Sequence, residues 1–486
     1  MVLLTLILAF VCIATLATYL YLMKYRGVVE SFGLPYVKPF FVFGSPPFLF
    51  HRIVVSEWLR DQFKKFGRTW ASYDGITPTI YTIDPDFIKQ VTVKQFENFT
   101  DVADLPMPEE QKTLDIMSGD AWRSMRKVLS PTFTSGKLKG MTQPMDGMVD
   151  RTLDYMSEKI KVDPKINVKP IIQGFALDTI FKCGFGLDTN VYKGEDQDLV
   201  KLVSGVVQAF NGETWANTIF FFIFFHFPIL FKYMPLYPEE ARKLSQMTHD
   251  MIDDRIKKNV EIGDFIDRLK HHKKEIQPPL TDKMMDTQGM VFIVAGYETT
   301  ASTLGRALYC LAKNPQVQDQ LFEEISSICS SPTEINQESI GEMHLLEGAI
   351  METLRLYPPA TEHVRVCTKD CAVNGIKIPK HTRIRMPNHA AHLDEEFFPE
   401  PFEFRPQRFL KENADQIKEY TWRPFGSGNR ICIGQRFAMT EMKIFLAKFV
   451  ARFKVIEVPE TEVEVTKGSM FFLPYKHMIV KMEERK

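Results

Sequence analysis

The segment Phe425-Gly426-Ser427-Gly428-Asn429-Arg430-Ile431-Cys432-Ile433-Gly434 decides the fold. It follows the pattern F-x-x-G-x-R-x-C-x-G, and five fixed residues at set spacing recur by chance in roughly one chain in ten thousand of this length. The pattern reads as a cysteine ligand loop. Gly428 permits a tight turn, and Gly434 permits the close approach of a flat cofactor. Cys432 stands just before a helix expected to begin near Gln435, whose positive N-terminus favours a thiolate able to bind iron. Arg430 is suited to a cofactor carboxylate, and Phe425 to shielding the sulfur from water. A buried cysteine in a glycine-rich turn accounts for none of this spacing.

The loop resembles the haem-thiolate signature of the cytochrome P-450 superfamily, and four further motifs follow the family order. Ala295-Gly296-Tyr297-Glu298-Thr299-Thr300 is similar to the oxygen-binding motif A-G-x-[D/E]-T-[T/S]. A threonine inside a helix ordinarily bonds back to the carbonyl four residues earlier and bends the helix. The resemblance implies in addition that Glu298 and Thr299 relay protons to dioxygen in a dry pocket. Glu352 and Arg355, in METLRLYPP, are helix neighbours that would ordinarily form a surface ion pair. The resemblance implies a buried structural network with Arg408 of Pro406-Gln407-Arg408-Phe409. Trp122 and Arg126 share a helix face, as ordinary packing residues often do. The resemblance implies that they, with Arg430, hold a haem propionate. A further basic propionate partner is expected near Glu362-His363; the acidic Glu362 departs from the family pattern, leaving His363 as the candidate. ETLRLYPPA, AGYETT and FGSGNRICIG look most like the microsomal clan of drug- and steroid-oxidising enzymes.

Outward from these motifs, the chain has 486 residues, 60 Lys+Arg against 61 Asp+Glu, and a net charge of −1, so no basic excess points to nucleic acid. Val2 to Met23 is uncharged and matches the thickness of a bilayer core at 1.5 Å per residue. No basic residue precedes it, and small residues do not end it, which favours an uncleaved anchor over a signal peptide. Lys24 and Arg26 follow, placing the body on the cytosolic side of the endoplasmic reticulum membrane. The expected organisation is a transmembrane signal anchor over residues 1–23, a basic and Pro/Gly-rich spacer over 24–47, and one haem-thiolate catalytic domain over 48–486. No low-complexity linker or repeat divides that domain.

Helical signals dominate: Gln316 to Ile328, Glu342 to Leu356 and Asp282 to Leu311. Short strands are expected at Thr79 to Thr82, Ile376 to Ile378 and Ile384 to Met386. The fold class is therefore mainly α with a small β portion. Ile219 to Phe231 (IFFFIFFHFPILF) is too short to span a bilayer; it is either a buried core segment or an interfacial patch. The chain contains 39 Phe, crowded in that run and in stretches expected to line a substrate pocket. Seven cysteines, odd in number and without a CxxC pair, read as reduced thiols.

The resemblance implies haem b as cofactor, with Cys432 as its axial ligand. No G-x-G-x-x-G opens a helix after a strand, so NADPH serves through a separate flavoprotein reductase, with cytochrome b5 as a second expected donor. Lys127, Arg423, Arg436 and Lys443 are candidate docking charges. Substrate contacts are expected from Asp101 to Met117, Phe210 to Phe231, Phe292 to Thr299, Ala360 to His363 and Met470 to Phe472. Their Phe and Met content suits a small hydrophobic molecule. The implied activity is a membrane-bound monooxygenase. A haem-thiolate isomerase and a non-catalytic haem or lipid binder are the rival readings, and the Glu298-Thr299 pair speaks against the first.

Overall fold

Thr281 starts the element around which the molecule is built. Its side chain accepts a hydrogen bond from the Met284 N–H and opens a 32-residue helix, Asp282–Lys313. The second half of that helix is buried on nearly all sides, as a helix apolar around its circumference must be. In this computed structural model, the described residues are 2–39, 44, 53–103, 106–209, 214–233, 237–271, 279–462, 465, 467, 469 and 473–485; the side chains of 2–10, 215, 217 and 218 are not described.

The helices that matter for the site are α1 (Val2–Leu22), α2 (Gly119–Leu129), α3 (Lys169–Phe185), α4 (Asp282–Lys313), α5 (His344–Leu356) and α6 (Gln435–Arg452). Helix α4 packs along α3 and also touches α5 and α6. Ala301, Leu304 and Leu308 of α4 share one core with Phe175 of α3, Ala349 of α5 and Phe445 of α6.

Among the described residues nine short strands complete the fold: β1 (Thr69–Asp74), β2 (Thr77–Thr82), β3 (Lys165–Asn167), β4 (Glu362–Val366), β5 (Cys371–Val373), β6 (Ile376–Ile378), β7 (Arg383–Pro387), β8 (Phe453–Ile456) and β9 (Ile479–Glu484). One sheet has the order β1-β2-β7-β4, another β3-β9-β8, and β5 pairs with β6 alone. The register Glu362↔Pro387 through Val366↔Arg383 fixes β4 against β7. Strand β4 is the one that reaches the site.

The expected α-rich class is what the chain adopts. The predicted helix Glu342 to Leu356 is divided at Met343, where ψ is 80° and one short helix ends before α5 begins. Helix α1 has 21 residues, about 31 Å of rise. Among the described residues, no helix is long and apolar enough to cross a membrane.

The run Ile219 to Phe231 is part buried and part exposed. It folds as the helix Trp215–His226 and the turn Pro228–Lys232. Phe221, Phe225 and Phe231 are buried, whereas Ile219, Ile229 and Leu230 are exposed. Tyr21, near the end of α1, stacks on Phe227 at 6.0 Å between ring centroids.

Candidate cofactor site

The cysteine loop is held open by two glycines and closed by one hydrogen bond. Gly426 and Gly428 have φ of +84° and +66°, a region that costs other residues strain. The Cys432 N–H donates to the Phe425 carbonyl at 2.8 Å, and Gly434 caps α6. A Cβ on Gly428 would fall 2.0 Å from the Thr92 carbonyl oxygen, so this glycine is required by backbone approach. A Cβ on Gly434 would meet no atom within 4 Å; the space in front of it is open.

Cys432 is exposed, yet burial pushes its thiol up; the Gly434 and Gln435 N–H groups and the Arg126 cation pull the other way. An exposed atom deep within protein faces an internal cavity. Ala295 is likewise exposed in the otherwise packed middle of α4. Thr299 Oγ1 donates to the Ala295 carbonyl at 2.7 Å, the back-bond expected of a helical threonine. Glu298 turns toward α3, accepting from Gln173 Nε2 at 3.0 Å. Burial raises its pKa, against the pull of Lys169, Gln173 and Arg306. Adjacent residues on a helix point about 100° apart, so Glu298 and Thr299 approach the cavity from different sides.

Trp122 is buried beneath the Arg430 guanidinium, which lies 4.1 Å from its ring centroid. Arg430 also donates to the carbonyls of Thr100 (2.9 Å) and Met117 (2.6 Å). Arg126 donates to the Ile431 carbonyl at 2.8 Å, tying α2 to the loop. Phe425 packs at the edge of Trp422, 6.5 Å between centroids.

Two further arginines sit beside this group. Arg365 and Arg423 are 4% and 2% exposed. Arg365 Nε and all three Arg423 guanidinium nitrogens have no hydrogen-bond partner among the described residues. Burial lowers Arg365 to about 10, Arg423 to about 9 and Arg430 to about 9, and Arg365 adds repulsion to the other two. Buried cations without counter-charges are costly. Asp101 and Asp115 act on Arg430, but Arg365 and Arg423 face no carboxylate among the described residues, and haem b carries two. The open space at Gly434, the accessible sulfur and the unpaired arginines together fit that cofactor.

Arg365 is the residue that sequence reasoning missed. His363, the expected candidate, is already committed: its Nε2 bonds the Arg423 carbonyl at 3.0 Å, and burial beside Arg423 lowers it to about 3. Glu362 turns the opposite way, into a buried pair with Arg385. The signal was strand alternation. His363 and Arg365 are two apart on β4 and share a face, which Glu362 and Val364 do not.

The charge network holds all three of its expected members. Arg355 donates from Nε and Nη2 to the two Glu352 oxygens at 2.7 and 2.8 Å, and Arg408 Nε reaches Glu352 at 3.3 Å. Arg355 also donates to the carbonyls of His392, Pro401 and Glu403. The pair therefore fastens the loop before the cysteine segment.

Two of the four expected docking charges are not on the surface. Arg423 is buried, and Lys443 is buried against Glu347 at 2.9 Å. Lys127 and Arg436 are exposed. Of the expected substrate-lining stretches, residues 104–105, 210–213 and 470–472 lie outside the described residues. Phe292 is present, stacked between Phe133 and Phe265.

Comparison with known proteins agrees with this geometry. The family "Cytochrome P450" matches residues 34–482. Cytochrome P450 3A41 of Mus musculus is 31% identical over 96% of this chain and 94% of its own length. Cytochrome P450 3A9 of Rattus norvegicus is 32% identical over 97% and 95%, and Cytochrome P450 3A6 of Oryctolagus cuniculus 32% over 96% and 95%. The chain belongs to the cytochrome P450 family. It is a haem-dependent monooxygenase, an oxidoreductase whose cofactor is haem b bound through a cysteine thiolate and whose electrons come from NADPH through a reductase.

Proposed function

We propose that Cys432 is the thiolate ligand and that Trp122, Arg126, Arg365 and Arg430 receive the haem carboxylates. The reading rests on one observation: a desolvated but accessible cysteine at a helix N-terminus, opposite buried arginines that lack an anion. Haem held there would supply the activation of dioxygen by two electrons and the transfer of one oxygen atom to substrate, the other oxygen leaving as water. The residues of this chain do the rest. Gly434 leaves room for the flat ring, and Phe425 keeps water from the sulfur. Burial favours the protonated form of Glu298, which makes it a proton source, and Gln173 holds it in place. Thr299 donates to Ala295 and keeps its oxygen lone pairs for a water that carries that proton.

The substrate is a small hydrophobic molecule. Met107, Phe220, Phe224 and Phe231 form an apolar cluster of their own, apart from the main core. The uncharged stretch Val2 to Met23, part of whose side chains lie outside the described residues, serves as the anchor of an endoplasmic reticulum protein, with the catalytic domain facing the cytosol. The exposed Ile219, Ile229 and Leu230 rest on the same membrane, because the Tyr21–Phe227 stack carries α1 to them. Lys127 and Arg436 are the remaining candidate charges for a flavoprotein reductase, and cytochrome b5 is a second donor.

The test is the spectrum of the reduced, CO-bound protein. The thiolate-ligated position of the Soret band is expected, and Cys432→Ser abolishes it. A band at the position of a histidine-ligated haem in the intact protein overturns the assignment.

A further inference from the structure

Outside the cofactor site, one pair of reactive side chains stands in direct contact. Cys367 Sγ lies 3.6 Å from Cys371 Sγ, and both are free thiols. Their backbones are fixed by different partners. The Cys367 N–H donates to Thr382 at 2.9 Å, and its carbonyl accepts from His381 at 2.8 Å. Cys371 begins β5, opposite Ile378. The turn between them is pinned on both sides. The Thr368 N–H donates to the Asn98 carbonyl at 2.8 Å, and Asp370 Oδ1 accepts from the Lys380 N–H at 2.7 Å. The two sulfurs therefore cannot drift apart. Cys367 is fully buried and Cys371 partly exposed, so one thiol is open to solvent and the other waits behind it.

We propose that Cys367 and Cys371 form a reversible intramolecular disulfide when the protein meets a low-molecular-weight disulfide such as glutathione disulfide. The first step is attack by the Cys371 thiolate, its proton lost to solvent, on one glutathione sulfur. The glutathione S–S bond breaks, a Cys371–glutathione bond forms, and one glutathione thiolate leaves and takes up a proton. Cys367 then loses its proton and attacks the Cys371 sulfur, expelling the second glutathione in the same way. Two protein thiols are oxidised by two electrons, and one glutathione disulfide is reduced to two thiols. The sulfurs, 3.6 Å apart, must close to about 2.05 Å to bond. Burial pushes both thiols up, Cys367 to about 12, and Asp370 adds to both, while the contact with Cys367 and the Lys369 cation draw Cys371 back. The exchange is therefore slow beside that of catalytic cysteines, and it speeds as pH rises. The site matters because Cys367 is two residues from Arg365: closing the ring clamps the end of the strand that carries a cofactor arginine.

The experiment uses the full haem-loaded chain equilibrated with glutathione disulfide, quenched with acid, alkylated and mapped by peptide mass. The expected result is simultaneous loss of alkylation at both cysteines, with a peptide lighter by about 2 Da, restored by a thiol reductant. Cys367→Ser should instead hold one glutathione on Cys371, and Cys371→Ser should leave Cys367 unmodified. A stable glutathione adduct on wild-type Cys371, or two thiols that stay reduced where Cys367→Ser is glutathionylated, overturns the proposal. So does failure of Cys371 to react in either protein.

Discussion

Glu352 and Arg355 meet through two parallel hydrogen bonds, at 2.7 and 2.8 Å, and neither side chain reaches solvent. A buried pair adds little over an apolar pair of the same shape, but removing one partner strands the other and costs about 3–5 kcal/mol. Glu352→Ala would leave Arg355 without its carboxylate and Arg408 without the acid it reaches among the described residues. The expected result is little haem-loaded protein, measured as the Soret-to-protein absorbance ratio. Arg408→Ala, which removes the more exposed member, should be milder.

The two loop glycines should separate folding from cofactor binding. Gly428→Ala combines a positive φ with a clash against the Thr92 carbonyl, should destabilise the haem-free chain by about 1–3 kcal/mol or more, and so should lower its melting temperature. Gly434→Ala meets only open space and should leave that melting temperature near wild type, while weakening haem binding in a Soret titration.

Arg365 offers the opposite signature. Its charge is unpaired until an anion arrives, so Arg365→Leu should keep or raise the stability of the haem-free chain and at the same time weaken haem retention. Transfer of haem to an apo-globin acceptor measures the loss. Equal haem retention in the two proteins would remove Arg365 from the cofactor contacts.

Thr299→Ala removes the hydroxyl but not the helix. Product formed per NADPH consumed should fall by about tenfold or more, within the range for a lost proton-transfer group, while NADPH consumption continues. Unchanged coupling would remove Thr299 from the proton relay. Parallel measurement of NADPH oxidation and product makes the distinction.

His363 gives a pH dependence of fixed sign. Its folded pKa of about 3 lies below the unfolded value of about 6.5, so between those values the unfolded chain binds more protons. Its contribution is complete above pH 6.5 and is lost as pH falls toward 3. His389, also lowered to about 3 by burial, acts in the same direction. The denaturant midpoint of the haem-free chain should fall between pH 7 and 4, with a shallower slope in His363→Asn.

The cysteine loop, the α4 motif and the Glu352 network were legible in the sequence because their chemistry demands particular residue types at particular spacing. Strand β1, TWASYD, was not legible: five of its six residues are buried, so no alternation of polar and apolar positions marks it. Arg365 was not legible because the face it shares with His363 exists only once β4 is extended. The burial of Arg423 and Lys443 was equally hidden, since long cationic side chains are surface residues by default.

The close approach of Gly428 to Thr92 has a consequence for how such a site can change. Thr92 lies in the π-helical turn Gln90–Lys94, and its hydroxyl also meets Ser427 at 3.2 Å. The ligand loop is thus one half of a two-piece mould whose other half lies more than three hundred residues earlier in the chain. A chimera that imports the loop alone inherits a mismatched seam. A productive recombination must carry both pieces, so crossover points that separate residue 92 from residue 428 should be the ones that fail.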